Sequence, residues 1–322
     1  MNEVKILGSG YAKPSRKVSN FELEKRVDTS DEWIVQRTGI SSRYISEEEN
    51  SSDLGYRAAL HAIEDAGIDV KDIDAIIVAT MTGDYITPST ACLIQEKLGL
   101  NDQQIFAFDI NSACSGFIYA FQIASSLLER FNHILIIGVE TMSKIIDWDD
   151  RNTCVLFGDG AGAMILTKGN HKVYHYANSE GDHQNVLSAG GLSLTKDLIN
   201  QPSSSLYLSM QGQDVFRFAV RVLKESIEKV LEDAHLTIDD IDLIIPHQAN
   251  YRIISHVAKK MNVDISKFYV NINEFANTSA ASVAIAYADA KEKGLIKEES
   301  RIILVGFGGG LTFGATLIDG GQ

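Results

Sequence analysis

A cysteine, a histidine and an asparagine stand where predicted strands give way to predicted helices, and together they could carry out nucleophilic chemistry. Cys114 follows an apolar run at 105–108 and precedes a helical pattern from about Ser115 to Arg130. The NH groups at a helix start carry partial positive charge, so we expect a lowered thiol pKa and an available thiolate. For a cysteine taken alone, the alternative is a small apolar side chain packed in the core.

His247 and Asn277 occupy similar corners in the second half of the chain. His247 comes directly after the apolar run 244–246 and before a helix, and ligands of α/β sheets bind at the carboxyl ends of strands. Asn277 lies in a turn that enters a helix of small residues. Taken singly, the histidine is more often structural and the asparagine is more often an N-cap. Their joint occurrence with Cys114 predicts that the three side chains converge on one point.

A glycine-rich segment, 306–314, follows the last long apolar run of the chain. Glycine permits a close backbone approach and can direct an NH group at developing negative charge. A glycine run is weak evidence by itself, because phosphate loops and plain turns have similar sequences. No Lys-Ser or Lys-Thr pair follows it, which argues against a phosphate-binding P-loop.

The predicted elements that position these residues are those of an α/β protein whose strands are covered on both faces. Short apolar runs alternate with amphipathic stretches throughout the chain. We predict strands near residues 4–7, 75–79, 105–108, 134–138 and 163–166, and helices near 51–66, 89–98 and 115–130.

The second half of the chain repeats the first. Segment 66–77 resembles 234–245 at an offset of 168 residues, and 134–137 then falls on 302–305. An offset one residue shorter aligns Cys114 with Ala281. We therefore predict two like halves about a pseudo-twofold axis, residues 1–168 with the nucleophile and 169–322 with the histidine and asparagine. Residues 169–213 are less periodic and are interpreted as a connection, and 11–50 as an insertion over the mouth of the site.

Composition narrows the range of functions. The formal charge is −14, from 29 basic and 43 acidic residues, which argues against a nucleic-acid or anionic-lipid partner. Three cysteines without framework spacing imply neither a disulfide scaffold nor a metal site. We find no signal peptide and no apolar run near the length of a membrane span, so we expect a cytoplasmic protein.

Seven motifs make the chain similar to a known family, the β-ketoacyl-acyl-carrier-protein synthase III condensing enzymes of the thiolase fold. The resemblance covers nearly the whole length and includes DTSDEWI (28–34), RTGI (37–40), ACSG (113–116), FGDGAG (157–162), HQAN (247–250), NTS (277–279) and GGG (308–310). It implies a five-layered αβαβα fold built from the two duplicated halves, and a homodimer.

The resemblance also implies a reaction without a cofactor, in which a CoA thioester is a substrate. Cys114 takes an acyl group from acetyl-CoA or another short acyl-CoA, and the NH groups of Cys114 and Gly309 form an oxyanion hole. His247 and Asn277 then stabilise the enolate that forms when malonyl-acyl-carrier protein loses CO2. Phe307 matches the phenylalanine beside the triad, where it shields the thiolate or simply packs in the core.

Further residues match the family's binding positions. Trp33 and Arg151 are expected to sandwich the adenine of CoA, and the channel is expected to be lined by Thr29, Arg37, Gly212 and Asn250. Gln213 stands where the family often has Asn, which puts that contact in doubt. Basic residues on predicted helices are expected to dock the acidic carrier protein, namely Arg217, Arg221, Arg252, Lys259 and Lys260. Thr87 stands where acetyl-preferring members carry a phenylalanine that reaches across the dimer into the acyl pocket. The smaller threonine leaves room for a wider pocket, and backbone shifts could cancel this difference.

Alternatives to this interpretation come from inside and outside the fold. A related ketosynthase of specialised metabolism shares the fold and the Cys-His-Asn set. A papain-type Cys-His-Asn hydrolase does not fit the 168-residue duplication, and a non-catalytic scaffold does not explain why every triad position is filled. The identity of the acyl primer does not follow from the sequence.

Overall fold

The computed structural model describes residues 2–182, 185–191 and 206–320. Its strands are β1 (Asn2–Ala12), β2 (Arg16–Ser19), β3 (Ser42–Ile45), β4 (Ala75–Ala79), β5 (Phe106–Ile110), β6 (Ile134–Glu140), β7 (Gly160–Lys168), β8 (His171–Ser179), β9 (Leu187–Ser188), β10 (Ser209–Met210), β11 (Leu243–Pro246), β12 (Arg301–Gly308) and β13 (Thr312–Asp319). Its α-helices are α1 (Asn20–Leu23), α2 (Asp31–Thr38), α3 (Ser51–Ala66), α4 (Thr90–Lys97), α5 (Gly116–Leu127), α6 (Arg151–Cys154), α7 (Gly212–Ala234), α8 (Tyr251–Met261), α9 (Ile272–Phe275) and α10 (Ser282–Glu292).

Among these residues, one nine-stranded sheet runs through the molecule in the order β11-β12-β13-β8-β1-β7-β6-β4-β5. The order β4-β6-β7-β1 in the first half matches β11-β12-β13-β8 in the second. A short antiparallel ladder between β1 and β8 joins the two sets of strands. The boundary that we predict between residues 168 and 169 falls in the turn between β7 and β8, and the division into two domains stays a prediction.

The strands sit between three layers of helices. In β12, Ile302 and Leu304 join a core with α5 and α10, whereas Ile303 and Val305 pack with α7 and α8. The strands β4 and β6 alternate in the same way between α5 and the outer helices α3 and α4. The helices α5 and α10 thus form the central layer, and the expected five-layered αβαβα fold is confirmed. Phe121 of α5 is fully buried there, and its truncation to alanine would cost about 3–5 kcal/mol.

Two regions that the sequence analysis interpreted as irregular contain regular structure. Residues 171–179 form β8, which pairs with both β1 and β13, so the interpretation of this stretch as a connection was wrong. Few of its side chains are fully buried, and the apolar signal that identifies the other strands is therefore weak here. Residues 11–50 hold the hairpin β2–β3 and the helices α1 and α2. The Pro202 to Ser205 run lies outside the described residues.

The turns before α5 and α10 correct the predicted alignment of the halves. A single turn of 3-10 helix precedes each of them, Ala113–Ser115 and Ser279–Ala281. Ala113 and Ser279 both have positive φ, 44° and 49°. These turns are 166 residues apart, so Cys114 matches Ala280, and the predicted match with Ala281 was wrong. The small residues of the segment 279–282 fit several alignments equally well, and only the backbone distinguishes them.

Candidate active site

Cys114, His247 and Asn277 line a single cavity of about 180 Å³ between the two halves. Phe307 and Gly309 line it as well. Each triad residue comes from a different strand-to-helix corner: the turn before α5, the end of β11 and the turn before α10. The fold thus places a sulfur, an imidazole and a carboxamide around one space, as their sequence positions predict.

Cys114 lies in the 3-10 turn that precedes α5, and its side chain is buried. Asn111 closes the turn, because its Oδ1 accepts a hydrogen bond of 3.1 Å from the NH of Ala113. Burial raises the pKa of the Cys114 thiol to about 12, and the negative charge of Glu140 also raises it. The Ser279 hydroxyl and the NH group of Cys114 lower this pKa, but by less than burial raises it. The expectation of a lowered thiol pKa was therefore wrong, since loss of hydration outweighs the helix start.

The carboxamide of Asn277 has a fixed orientation. Its Oδ1 accepts a hydrogen bond of 2.9 Å from the main-chain NH of Ser279. The backbone of Asn277 is also held, since its NH donates to Leu156 O and its carbonyl accepts from Gly158 N. With Oδ1 engaged by a backbone donor, the side chain offers the Nδ2 donor to the cavity that it lines.

His247 is buried at the end of β11 and is neutral. Burial lowers the pKa of the imidazole to about 3. The main-chain NH of His247 donates to Val305 O, and the ring meets the ring of Phe307 edge to face at 5.3 Å between centroids. Within the described chain, its Nδ1 is buried without a hydrogen-bond partner. The adjacent Gln248 fixes this corner, since its side-chain amide donates to Pro246 O and Tyr269 O.

The glycines after β12 approach the nucleophile closely. A Cβ atom added to Gly308 would lie 2.6 Å from the backbone nitrogen of Cys114, a distance that no side chain tolerates. Gly309 lines the cavity beside Ala113. Only glycine at position 308 therefore allows the strand end to pack against the turn that carries the thiol.

A buried carboxylate near this site, that of Glu140, is not among the residues predicted from the sequence. Glu140 ends β6 with no exposed surface, and burial raises its pKa to about 7. It accepts hydrogen bonds from Thr82, from the Thr80 hydroxyl and from the hydroxyl of Ser279. An acidic residue that ends an otherwise apolar strand is the signal that could have identified it, because such a charge needs partners.

The predicted CoA-binding residues fall into two groups. Asn250 and Gly212 line the cavity, and Gln213 lines an adjoining groove with Gly212. On the surface, the guanidinium of Arg151 lies 5.1 Å from the ring centroid of Trp33, and that of Arg37 lies 5.8 Å from it. The two residues that are predicted to sandwich the adenine thus contact each other directly in this structure.

Thr29, the remaining predicted channel residue, lies just before α2. Its hydroxyl is buried and has no hydrogen-bond partner among the residues that the structure describes. Arg151 donates to the main-chain oxygen of the neighbouring Asp28 at 2.7 Å, which ties the short helix α6 to this segment.

The predicted docking residues also differ in their surroundings. On α7, Arg217 pairs with Asp214, and Arg221 pairs with Glu180 and Glu225. The exposed side of α8 carries three basic residues that form no ion pair within the described part of the chain, namely Arg252, Lys259 and Lys260. The surface of α8 therefore offers the charge that an acidic partner could use.

Thr87 does not line the cavity of its own chain. It is exposed, and it follows two exposed apolar residues, Tyr85 and Ile86. In the described residues, no group of three His, Cys, Asp or Glu side chains could hold a metal ion. No helix in this part of the chain is long and apolar enough to cross a bilayer.

Comparisons with known proteins identify the family of the chain. The family 3-oxoacyl-acyl-carrier-protein synthase III matches residues 108–182, and its C-terminal family matches 231–319. The chain is similar to β-ketoacyl-acyl-carrier-protein synthase III of Clostridium tetani, with 50% identity over 98% of both chains. A crystal structure of 3-oxoacyl-acyl-carrier-protein synthase III from Aquifex aeolicus VF5 has a TM-score of 0.91 and 42% identity over 98% of this chain and 99% of that one.

A polyketide enzyme is also similar, but less so. The priming β-ketosynthase of the R1128 polyketide pathway has a TM-score of 0.87 and 33% identity over 99% of this chain and 97% of that one. The higher identity to the synthase III relatives favours fatty acid synthesis over specialised metabolism.

Proposed function

The chain belongs to the β-ketoacyl-acyl-carrier-protein synthase III family, acyltransferases that perform the condensation initiating fatty acid synthesis, and we propose which of its residues carry out each step. The observation that carries the proposal is the shared cavity, where the thiol of one half meets the imidazole and carboxamide of the other. The substrates are an acyl-CoA and malonyl-acyl-carrier protein.

In the first half-reaction, Cys114 takes the acyl group from acetyl-CoA or another short acyl-CoA. The sulfur attacks the thioester carbon, the bond between that carbon and the CoA sulfur breaks, and free CoA leaves. The NH groups of Cys114 and Gly309 stabilise the oxyanion of the tetrahedral intermediate. The close packing of Gly308 on Cys114 supports this role, because it holds the two backbone segments together.

In the second half-reaction, His247 and Asn277 stabilise the enolate that forms as the malonyl group loses CO2. The lowered pKa keeps the imidazole neutral, so it can donate from one nitrogen, and Asn277 donates from Nδ2. A carboxylate in either place would repel the enolate. Phe307 packs against His247 and keeps the region around the acyl group apolar. The enolate carbon then attacks the acyl group on Cys114, and the loss of CO2 makes the condensation effectively irreversible.

A two-stage labelling experiment tests the proposal. The protein is incubated with radiolabelled acetyl-CoA and then supplied with malonyl-acyl-carrier protein. A condensing enzyme labels Cys114 and then forms a labelled β-ketoacyl product, a hydrolase releases only labelled acid, and a scaffold does neither. Comparing acetyl-, isobutyryl- and longer acyl-CoAs in the same assay identifies the primer.

The exposed basic residues of α8 are proposed to dock the acidic carrier protein. Reversing the charge in Arg252→Glu should raise the KM for malonyl-acyl-carrier protein about tenfold at low salt and less at high salt. The rate of acylation by acyl-CoA should not change. Lys229→Glu is a matched control, because Lys229 is an exposed basic residue outside the predicted docking set and is paired with Glu232 within its own helix. Equal losses with both substrates would show that Arg252 has no specific docking role.

We further propose a homodimer, in which Thr87 of one subunit reaches the acyl pocket of the other. The exposed apolar surface of Tyr85, Ile86 and Phe106 near the edge strand β5 supports such an interface. Light scattering after gel filtration measures the mass directly. We also place the protein in the cytoplasm, where a reducing environment keeps Cys114 as a free thiol.

A further inference from the structure

A buried carboxylate on α10, that of Asp289, holds the segment 269–271 in place. Its Oδ2 accepts a hydrogen bond of 2.6 Å from the Tyr269 hydroxyl and one of 3.0 Å from Nδ2 of Asn271. The ammonium group of Lys293, at the end of the same helix, lies 2.9 Å from its Oδ1. Asp289, Tyr269 and Asn271 are all buried. The charge is therefore both paired and hydrogen-bonded, as a charge inside a protein requires.

The backbone of the same segment fixes the side chain of Gln248, which is also buried. The Nε2 group of Gln248 donates to Tyr269 O at 3.0 Å and to Pro246 O at 2.9 Å. Its Oε1 accepts a hydrogen bond of 3.1 Å from the main-chain NH of Asn271. Tyr269 and Asn271 thus bond Asp289 through their side chains. Through their backbone, the same two residues bond Gln248.

The helix α10 also contacts Gln248 directly. The main-chain NH of Gln248 donates to the hydroxyl of Ser282 at 2.8 Å. Ser282 and Asp289 are seven residues apart in α10, which places them two turns apart on the same face of the helix. The turn that presents Asn277 leads into this helix. One helix therefore fixes the corner that carries His247 relative to Asn277.

The ring of His247 depends on its backbone for its position. Among the described residues, its buried Nδ1 has no hydrogen-bond partner, and Phe307 meets the ring only edge to face. The main-chain NH of His247 donates to Val305 O, and its carbonyl oxygen accepts from Ala249 N at 2.9 Å. The side chain of Gln248 bonds the carbonyl of the residue before His247. A shift of Gln248 would therefore move the imidazole.

We propose that Asp289 is a positioning residue for His247 in the decarboxylation step, an inference that rests on the proposed function. Asp289 holds the segment 269–271, and this segment holds Gln248, the neighbour of His247. Asp289 is not among the described residues that line the cavity, so it acts from outside the site. A hydrogen-bond donor that is displaced from the enolate oxygen stabilises the enolate less.

The acylation step should depend much less on this arrangement. Cys114 lies in the turn before α5, and Gly308 of β12 packs against the backbone nitrogen of Cys114. The segment 269–271 bonds the corner at the end of β11 instead. A positioning role for Asp289 therefore predicts a loss in one half-reaction, whereas a general structural role predicts similar losses in both.

Asp289→Asn tests the positioning role. The substitution keeps the size of the side chain but removes its charge and replaces one accepting oxygen with an NH2 donor, so it holds the segment 269–271 less tightly. We expect the kcat of malonyl decarboxylation, measured as CO2 release, to fall about tenfold. The KM for malonyl-acyl-carrier protein and the single-turnover rate of acylation by acetyl-CoA should stay within about twofold of the unmodified protein.

A double variant tests whether the effect passes through His247. If it does, Asp289→Asn should not slow decarboxylation further when His247→Ala is already present. Independent effects would instead multiply, and the double variant would lose about tenfold more than His247→Ala alone. That result would show that Asp289 acts elsewhere and would overturn the proposal.

Asp65→Asn is the matched control, because Asp65 also pairs with a lysine of α10. Its carboxylate bonds Lys291 and the main-chain NH of Ser9, rather than the segment 269–271. Both half-reactions should keep their rates in this variant. Equal losses of decarboxylation and acylation in Asp289→Asn, or no loss of either, overturn the positioning role and leave the proposed function intact. A folded, unmodified protein that releases no CO2 from malonyl-acyl-carrier protein overturns the proposed function itself.

Tyr269→Phe provides a milder variant in case Asp289→Asn does not fold. It removes the hydroxyl that donates to Asp289 and keeps the carbonyl oxygen that accepts from Gln248. Decarboxylation should fall about threefold, with acylation unchanged and with no further loss when His247→Ala is present. An unchanged rate of decarboxylation in folded Tyr269→Phe would overturn the positioning role.

Discussion

The turns before α5 and α10 have the same backbone and different chemistry. In each, an asparagine side chain accepts a hydrogen bond from the NH two residues later, at 3.1 Å for Asn111 and 2.9 Å for Asn277. That later residue has positive φ in both turns, and a single 3-10 turn leads into the helix. The first turn then presents Cys114, whereas the second presents Ala280. A shared backbone geometry thus supports a nucleophile in one half and an amide donor in the other.

The strand that faces each turn also differs between the halves. Gly138 of β6 lies against Ala280, where an added Cβ would be 2.3 Å from the carbonyl oxygen, and Gly308 of β12 lies against Cys114. Two residues beyond Gly138, β6 ends in Glu140, which reaches Ser279. Position 308, the equivalent of 140 at an offset of 168 residues, is glycine. One strand end thus supplies a buried carboxylate, whereas the other packs a glycine against the backbone nitrogen of Cys114.

Cys114→Ala gives the first turn the residue found in the second, and it should have the largest effect. Acyl transfer from acyl-CoA should fall about 10⁵-fold, because no other thiol lines the cavity in the described chain. Decarboxylation of malonyl-acyl-carrier protein should persist, since His247 and Asn277 are unchanged. Mass spectrometry of the acylated protein and a CO2 release assay measure the two activities separately. Acylation at another residue of the variant would contradict the assignment.

Removing the proposed hydrogen-bond donors His247 and Asn277 should impair decarboxylation and largely spare acylation, the opposite of the result expected for Cys114→Ala. His247→Ala and Asn277→Ala should lower malonyl decarboxylation about 10² to 10³-fold and affect acylation much less. Asn277→Asp keeps the oxygen that holds the turn and replaces the Nδ2 donor with negative charge, so it should decarboxylate no better than Asn277→Ala. Rates of CO2 release and of single-turnover acylation provide the measurement. Normal decarboxylation by His247→Ala would mean that the role given to this residue is wrong.

The sequence alone predicted the triad, because its members stand beside strong apolar strands at matching corners. It did not predict β8, whose side chains alternate too weakly, or the alignment of the two turns, where Ala and Ser residues are interchangeable. It also gave the wrong direction for the Cys114 pKa, since a helix start is a local feature and burial depends on both halves. The acidic end of the apolar strand β6 could have identified Glu140, but its partner Ser279 could not be predicted, because it lies 139 residues away.

Gly308→Ala tests the other side of the comparison, the close approach of β12 to Cys114. The added methyl group would lie 2.6 Å from the Cys114 nitrogen, so the strand end and the turn must separate. We expect acylation to fall about 10- to 100-fold through loss of the oxyanion donors, with about 1–3 kcal/mol of lost stability. Gly306→Ala is the control, because its added carbon comes no closer than 3.3 Å to any atom, the Cγ1 of Ile118, and lies 3.7 Å or more from the backbone of the turn. Equal acylation rates in the two variants would argue against an oxyanion hole at this point.

Asn111 is the counterpart of Asn277 outside the cavity, and changing it should have the smallest effect. Asn111→Ala loses only the side-chain bond that closes the turn, which should cost about 1 kcal/mol of stability in a urea titration. Asn111→Asp keeps the accepting oxygen and should be close to the unmodified protein, whereas Asn277→Asp should be severely impaired. This contrast separates the structural role that the two asparagines share from the catalytic role proposed for Asn277. If Asn111→Asp lost malonyl decarboxylation as fully as Asn277→Asp, the loss in Asn277→Asp would not be evidence that the Asn277 Nδ2 group stabilises the enolate.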